Sequence, residues 1–146
     1  MKSPKAKASG KQLSIYISSA KPLKDSATIR AEIVAYALQF IGNPYKWGGI
    51  SLTKGADCSG FTQSVFKDHG ICIPRTSKAQ AEVGQNVSLD SRKPGDLIFY
   101  KKFGTIYHVA LYIGNDKVIS VGSPRTGIRI KEYNYRKPYK AVNYID

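Results

Sequence analysis

The feature that most constrains this chain is a change of pattern near its middle. From Asp96 onward it runs in short segments rich in aromatic and β-branched residues: Asp96–Tyr100, Tyr107–Ile113, Lys117–Val121, Ile128–Lys131 and Ala141–Ile145. Gly, Asn, Asp or Pro residues separate these segments, which is the signature of successive strands. The first half reads differently. Ile29, Ile33, Ala37 and Phe40 or Ile41 recur at helical spacing after a possible cap at Ser26 or Thr28, until Gly42-Asn43-Pro44 stops the helix. Phe61, Val65 and Phe66 mark a second helix that begins at Cys58 and ends at His69-Gly70. Helices first and strands afterwards predict an α+β fold, with the N-terminal helices packed on an antiparallel sheet.

At 146 residues there is room for one compact core. The boundary falls near Asp25: residues 1–26 read as a basic tail or the end of an upstream module, and residues 27–146 as the folded domain. No apolar run is long enough to span a membrane. The opening MKSPKAKASGKQ has a basic n-region without the apolar stretch that must follow it, so an export signal is not expected within this sequence. Net charge is +13, of which residues 1–26 carry six lysines against one acid. A basic surface spread over both parts raises encounter rates with any polyanion without naming one, and a merely solvated surface explains it as well.

Few side chains here do chemistry. Cys58 lies at the start of a predicted helix, where unpaired N–H groups and the helix dipole favour a thiolate, within the polar, glycine-flanked run Asp57-Cys58-Ser59-Gly60. Cys72 sits in Ile71-Cys72-Ile73 and reads as a space-filling apolar residue. A thiolate needs a base. His69 follows Cys58 by 11 residues on the same helix, which puts it roughly 16 Å away at about 1.5 Å per residue. His108, in the strand YHVALYIG, is the imidazole that remains, and a cysteine on a helix start facing a histidine on a strand is the papain-type arrangement. The spacing of Cys58, His69, Cys72 and His108 does not resemble a structural zinc site, so no metal is expected.

Five motifs then stand in order: Gly42-Asn43-Pro44-Tyr45-Lys46-Trp47-Gly48-Gly49, Asp57-Cys58-Ser59-Gly60-Phe61, Pro74-Arg75-Thr76-Ser77 with Gln80, Pro94-Gly95-Asp96-Leu97-Ile98-Phe99, and His108 to Asn115. Together they resemble the NlpC family of papain-like cell-wall cysteine peptidases over roughly residues 28–146. The resemblance implies a secreted or wall-located enzyme without a cofactor, hydrolysing peptidoglycan stem peptides at the bond from the γ-carboxyl of D-glutamate to the diamino acid. It leaves the choice of lysine or diaminopimelate open. It also implies Cys58 as nucleophile, His108 as general base, and Tyr45 as a hydroxyl close to the thiol. Asp57 and Ser59 match residues that hold the stem peptide's free amine, and Asp57 equally reads as the helix cap. Arg75 and Gln80 are candidates for lining the cleft, while Trp47, Gly48, Gly49, Gly95 and Asp96 read as scaffold. A monomer is expected, with peptidoglycan and anionic wall polymers as partners and no nucleic acid.

One position departs from the pattern. Twelve residues after the catalytic histidine the family usually places His, Asn or Gln, and here Ser120 stands there. A three-residue hairpin loop at Gly114-Asn115-Asp116 would set Ser120 opposite Ala110, diagonal to His108 on one sheet face. Ser123 is the fallback, and a water or backbone carbonyl could orient the ring instead. Acyl transfer to an amine and a non-catalytic wall-binding module remain the alternatives to hydrolysis.

Overall fold

The computed structural model describes residues 24–146; the lysine-rich start and its short apolar run lie outside the described residues. Helix α1 spans Ser26–Leu38 and is capped by Asp25, whose carboxylate accepts from the Thr28 N–H at 2.8 Å. The cap therefore falls one residue earlier than Ser26, and the helix stops before Gly42, passing through turns to Pro44. A two-strand ribbon, β1 (Ile50–Ser51) and β2 (Gly55–Ala56), leads into α2 (Cys58–Lys67). Between residues 73 and 90 lie α3 (Ser77–Val83) and strand β3 (Gln85–Val87). Both are too short for their periodicity to show in sequence. The cap of α3, Thr76, accepts from the Ala79 N–H, and Gln80 and Ala81 are buried.

Five strands follow: β4 (Leu97–Lys102), β5 (Thr105–Gly114), β6 (Lys117–Val121), β7 (Ile128–Glu132) and β8 (Pro138–Asn143). They join β3 in an antiparallel sheet of order β3-β8-β4-β5-β6-β7. The α+β architecture read from the sequence is the one observed. Strand alternation sends Leu97, Phe99, Val109, Leu111, Ile119 and Val142 to the helix face, where they pack with Ile33, Phe61, Val65 and Phe66. The opposite set, Ile98, Tyr100, Ala110, Tyr112 and Val118, packs under Val87, Leu89, Tyr133 and Tyr135. Two covered faces explain why Leu97–Tyr100 is apolar without alternation. Tyr100 bolts the second cover down by donating to the Tyr133 carbonyl at 2.7 Å.

The β5–β6 turn differs from the reading in detail but not in consequence. Gly114 pairs with Lys117, leaving a two-residue loop in which Asn115 and Asp116 both have φ near +55° (53° and 59°), and a bulge follows between Tyr112 and Gly114. The loop is shorter by one residue and the bulge adds one, so Leu111 still faces Ile119 and Ser120 keeps the register expected for it. Cys72 is another correction: it is exposed rather than packed, because its neighbours Ile71 and Ile73 turn to the core and leave it facing outward.

Candidate active site

The start of α2 is held by close backbone approach. A Cβ on Gly60 would lie 2.0 Å from the Gly49 carbonyl oxygen, and one on Gly49 would lie 2.3 Å from the Gly55 oxygen. Only glycine lets the Tyr45–Ala56 loop lie against the first turn of the helix. Asp57 caps that turn, accepting from the Gly60 N–H at 2.7 Å. With Gly60 taken by the cap and Phe61 bonded to the Asp57 carbonyl, the N–H groups of Cys58 and Ser59 remain to face the thiol.

Cys58 and His108 line one cleft of about 630 Å³, together with Tyr45, Asp57, Ser59 and Arg75. The pairing of β5 with β6 ends at Leu111–Ile119, while β5 runs on to Thr105 and β6 to Val121. The two strands separate there, and His108 and Ser120 meet across the gap: His108 Nε2 lies 2.9 Å from Ser120 Oγ. An Nε2–H donated to Ser120 leaves Nδ1 as the acceptor on the ring. The Val109 N–H, on the same strand, acts on the sulfur in the direction that favours the thiolate.

Charge states at this pair differ from the sequence expectation. Burial pushes the Cys58 thiol up, against the opposing pull of the Val109, Ser59 and Cys58 N–H groups, and the Asp57 carboxylate pushes the same way as burial. The helix start alone therefore does not ionise the thiol. Burial also lowers His108 to about 4, with the Lys131 and Arg136 cations adding to the effect. Both shifts favour a thiol and a neutral imidazole at rest, and both make His108 a weaker acceptor for the thiol proton than a free imidazole would be.

At one end of the cleft the polar side chains are already tied to each other. Arg75 donates to Ser59 Oγ at 2.8 Å and to Asp57 Oδ2 at 3.0 Å, and the Gly48 N–H reaches the same carboxylate oxygen at 3.1 Å. These partners, Arg75 foremost, hold Asp57 below the usual carboxylate range despite its burial. Each Asp57 oxygen thus has two donors, counting Ser59 at 3.5 Å, and a substrate amine would have to displace one of them. Tyr45 stands beside Asp57 and Cys58, its hydroxyl pushed up by burial and by those two groups.

Gln80 does not line the cleft. It is fully buried, donating to the Ser59 and Pro74 carbonyls at 3.1 and 2.8 Å and accepting from Thr62 at 2.9 Å, so it braces α2 against α3. His69 is bonded through Nδ1 to the Val65 carbonyl at 2.8 Å, away from the thiol. Ser123 lies within hydrogen-bond reach of Thr126, and no bond joins it to His108. Trp47, read as scaffold, is 84% exposed on the cleft rim. Tyr135 was not singled out in the sequence: its hydroxyl lies 3.5 Å from Ser120 Oγ and its ring packs on Tyr100. It sits in the connection after β7, where no periodicity marks it. Among the described residues no cluster of His, Cys, Asp or Glu could hold a metal, and no helix is long and apolar enough to cross a membrane.

A thiol on a helix start, an imidazole on a facing strand and a hydroxyl behind that imidazole form the constellation from which thiol-dependent acyl chemistry is built. The chain belongs to the NlpC/P60 family, whose model matches residues 42–145. It is 43% identical over 133 residues to a γ-D-glutamyl-L-lysine dipeptidyl-peptidase of Bacillus subtilis, covering 86% of this chain and 44% of that protein. The chain thus spans less than half the length of that relative. A solved NlpC/P60 family protein from Bacillus cereus superposes with a TM-score of 0.76 at 32% identity, over 86% of this chain and 42% of that one. The NlpC/p60 domain of the peptidoglycan hydrolase SagA matches at 36% identity and a TM-score of 0.71, over 78% of this chain and 97% of that domain.

Proposed function

We propose that this protein is a peptidoglycan endopeptidase that hydrolyses the bond from the γ-carboxyl of D-glutamate to the following diamino acid, acting outside the membrane or in the wall. The observation that carries this is the shared cleft lined by Cys58, His108 and Arg75, with buried Ser120 bonded to His108. His108 takes the thiol proton, and sulfur attacks the amide carbon. The N–H groups of Cys58 and Ser59, with the Tyr45 hydroxyl, stabilise the oxyanion. The imidazolium then protonates the departing amine, and water hydrolyses the thioester by the reverse sequence.

A γ-linked glutamate carries a free α-carboxylate on the acyl side of the scissile bond. Arg75, with Ser59 and Ser77 on the same cleft wall, is the group suited to it. Arg75 is itself bonded to Asp57 and Ser59, so a substrate carboxylate, like a free amine on Asp57, enters by displacing one of those bonds. The test is to incubate the full chain with peptidoglycan fragments of the lysine and diaminopimelate types and weigh the products. Release of fragments split at the D-glutamyl bond, lost in Cys58→Ala, is expected. Unaltered fragments, cleavage at another bond, or products bearing an added amine in place of water would overturn this reading.

A further inference from the structure

A second, smaller pocket of about 150 Å³ lies behind His108, lined by Lys131, Tyr135 and Arg136 among others. It shares Tyr107, His108 and Gly122 with the main cleft, so the two adjoin at the imidazole. Arg75, Asp57 and Ser59 line the main cleft together with the thiol. None of these three lines the small pocket.

We propose that this pocket is the leaving-group subsite, and that Lys131 and Arg136 bind a carboxylate on the diamino acid whose amine is released. The inference rests on the peptidase reading above and deepens it. His108 must reach the departing amine, so the residue bearing that amine lies on the imidazole side of the thiol. Two cations face that space without an anionic partner: neither Lys131 nor Arg136 is in an ion pair among the described residues. They rest over aromatic rings instead, Lys131 at 4.5 Å from the Tyr135 centroid and Arg136 at 5.8 Å from that of Tyr107. Such contacts hold a cation in place while leaving its donors free for an anion.

The arrangement also links binding to the base. His108 is faced by Tyr100 from β4, its neighbour Tyr107, Ser120 from β6, Lys131 from β7, and Tyr135 and Arg136 from the connection to β8. None of these is an acid, and the two cations oppose protonation of the ring. A bound carboxylate offsets them and makes the imidazole a better proton acceptor when substrate is in place.

The shared chemistry is a carboxylate on the leaving residue, either the α-carboxylate of a stem that ends there or the side-chain carboxylate of diaminopimelate. The test uses the full chain carrying Cys58→Ala, followed by NMR through the ring signals of His108 and Tyr135. L-lysine, L-lysinamide and meso-diaminopimelate are titrated as probes. Binding of L-lysine at least tenfold tighter than L-lysinamide identifies the α-carboxylate; binding of diaminopimelate at least tenfold tighter than L-lysine identifies the side-chain group. Lys131→Met with Arg136→Gln should abolish either difference. Equal binding of all three probes, binding of none, or a difference that survives the double substitution overturns the subsite. Cleavage of stem peptides without discrimination among the probes leaves the peptidase and removes the pocket. Discrimination in a protein that cleaves nothing does the reverse.

Discussion

Ser120 is 1% exposed and bridges His108 and Tyr135, so its short hydroxyl is matched to the space the tyrosine leaves. A neutral hydrogen bond of about 1 kcal/mol corresponds to roughly a fivefold change in rate. Ser120→Ala should therefore lower kcat about fivefold, whereas His108→Ala and Cys58→Ala should abolish cleavage. The family pattern alone would have Ser120→His keep or raise turnover. The observed packing reverses that expectation: an imidazole at 120 meets Tyr135, and activity should fall further than in Ser120→Ala. Adding Tyr135→Ala to Ser120→His should recover part of the loss, and steady-state kinetics of the three variants checks this. The cysteines differ in a related way. Cys72 is exposed, while burial pushes the Cys58 thiol up, and in the proposed mechanism His108 takes its proton. Alkylation at pH 7 followed by mass spectrometry should find Cys72 modified at an ordinary thiol rate in every variant. Cys58 should slow at least tenfold in His108→Ala, and equal Cys58 rates with and without the imidazole would contradict this assignment.

At the level of elements, catalysis depends on how closely α2 approaches the loop before it. The Gly60 site leaves no room for a methyl group, because the atom in the way is the backbone oxygen of Gly49. Gly60→Ala should destabilise the fold by about 1–3 kcal/mol, as overpacking usually does. It should also cost more activity than stability, since the displaced helix start carries the thiol and its N–H donors. Thermal unfolding and kcat measured on the same preparation separate the two effects. Cooling to restore folding should not restore kcat.

Across the whole molecule, Arg30 ties α1 to the sheet and to the C-terminus. It donates to Asp96 at 2.9 Å, to the Pro94 carbonyl at 2.9 Å and to Asn143 at 3.0 Å, with Arg30 and Asp96 side chains 7% and 1% exposed. Removing Asp96 leaves Arg30 with one carboxylate, Asp146 at 3.1 Å and 35% exposed, so the cost falls near the lower end of the about 3–5 kcal/mol of a broken buried pair. Asp96→Ala should lose that much in denaturant unfolding, far more than a surface pair such as Lys24–Glu32 would. Acid should also loosen the molecule through His108. Its folded value near 4 lies below the ordinary histidine value of about 6.5, so between those limits the unfolded chain binds the extra proton. Stability is then complete above about pH 6.5 and falls as pH drops towards 4, by up to about 3 kcal/mol. Urea titrations across pH 4–7 should show this slope in the wild type and a flatter one in His108→Ala.

The α+β class, the helix start at Cys58, the His108 strand and the register that brings Ser120 to His108 were legible in sequence, because each rests on local periodicity or on a motif of adjacent residues. The short elements α3 and β3 were not, since seven and three residues are too few to display a period. Gln80 read as a cleft residue and lies in the core, because the direction of a side chain on a helix of about two turns depends on what the helix packs against. The acidity of the thiol could not be read either: a helix start lowers it, burial raises it, and the outcome depends on how far β5 and its neighbours enclose the sulfur. Tyr135, Lys131 and Arg136 come to His108 only when β7 and the connection beyond it fold beside the parted ends of β5 and β6. Local chemistry along the chain thus determined which residues can react, while long-range packing decided their protonation, their supports and the charges that surround them.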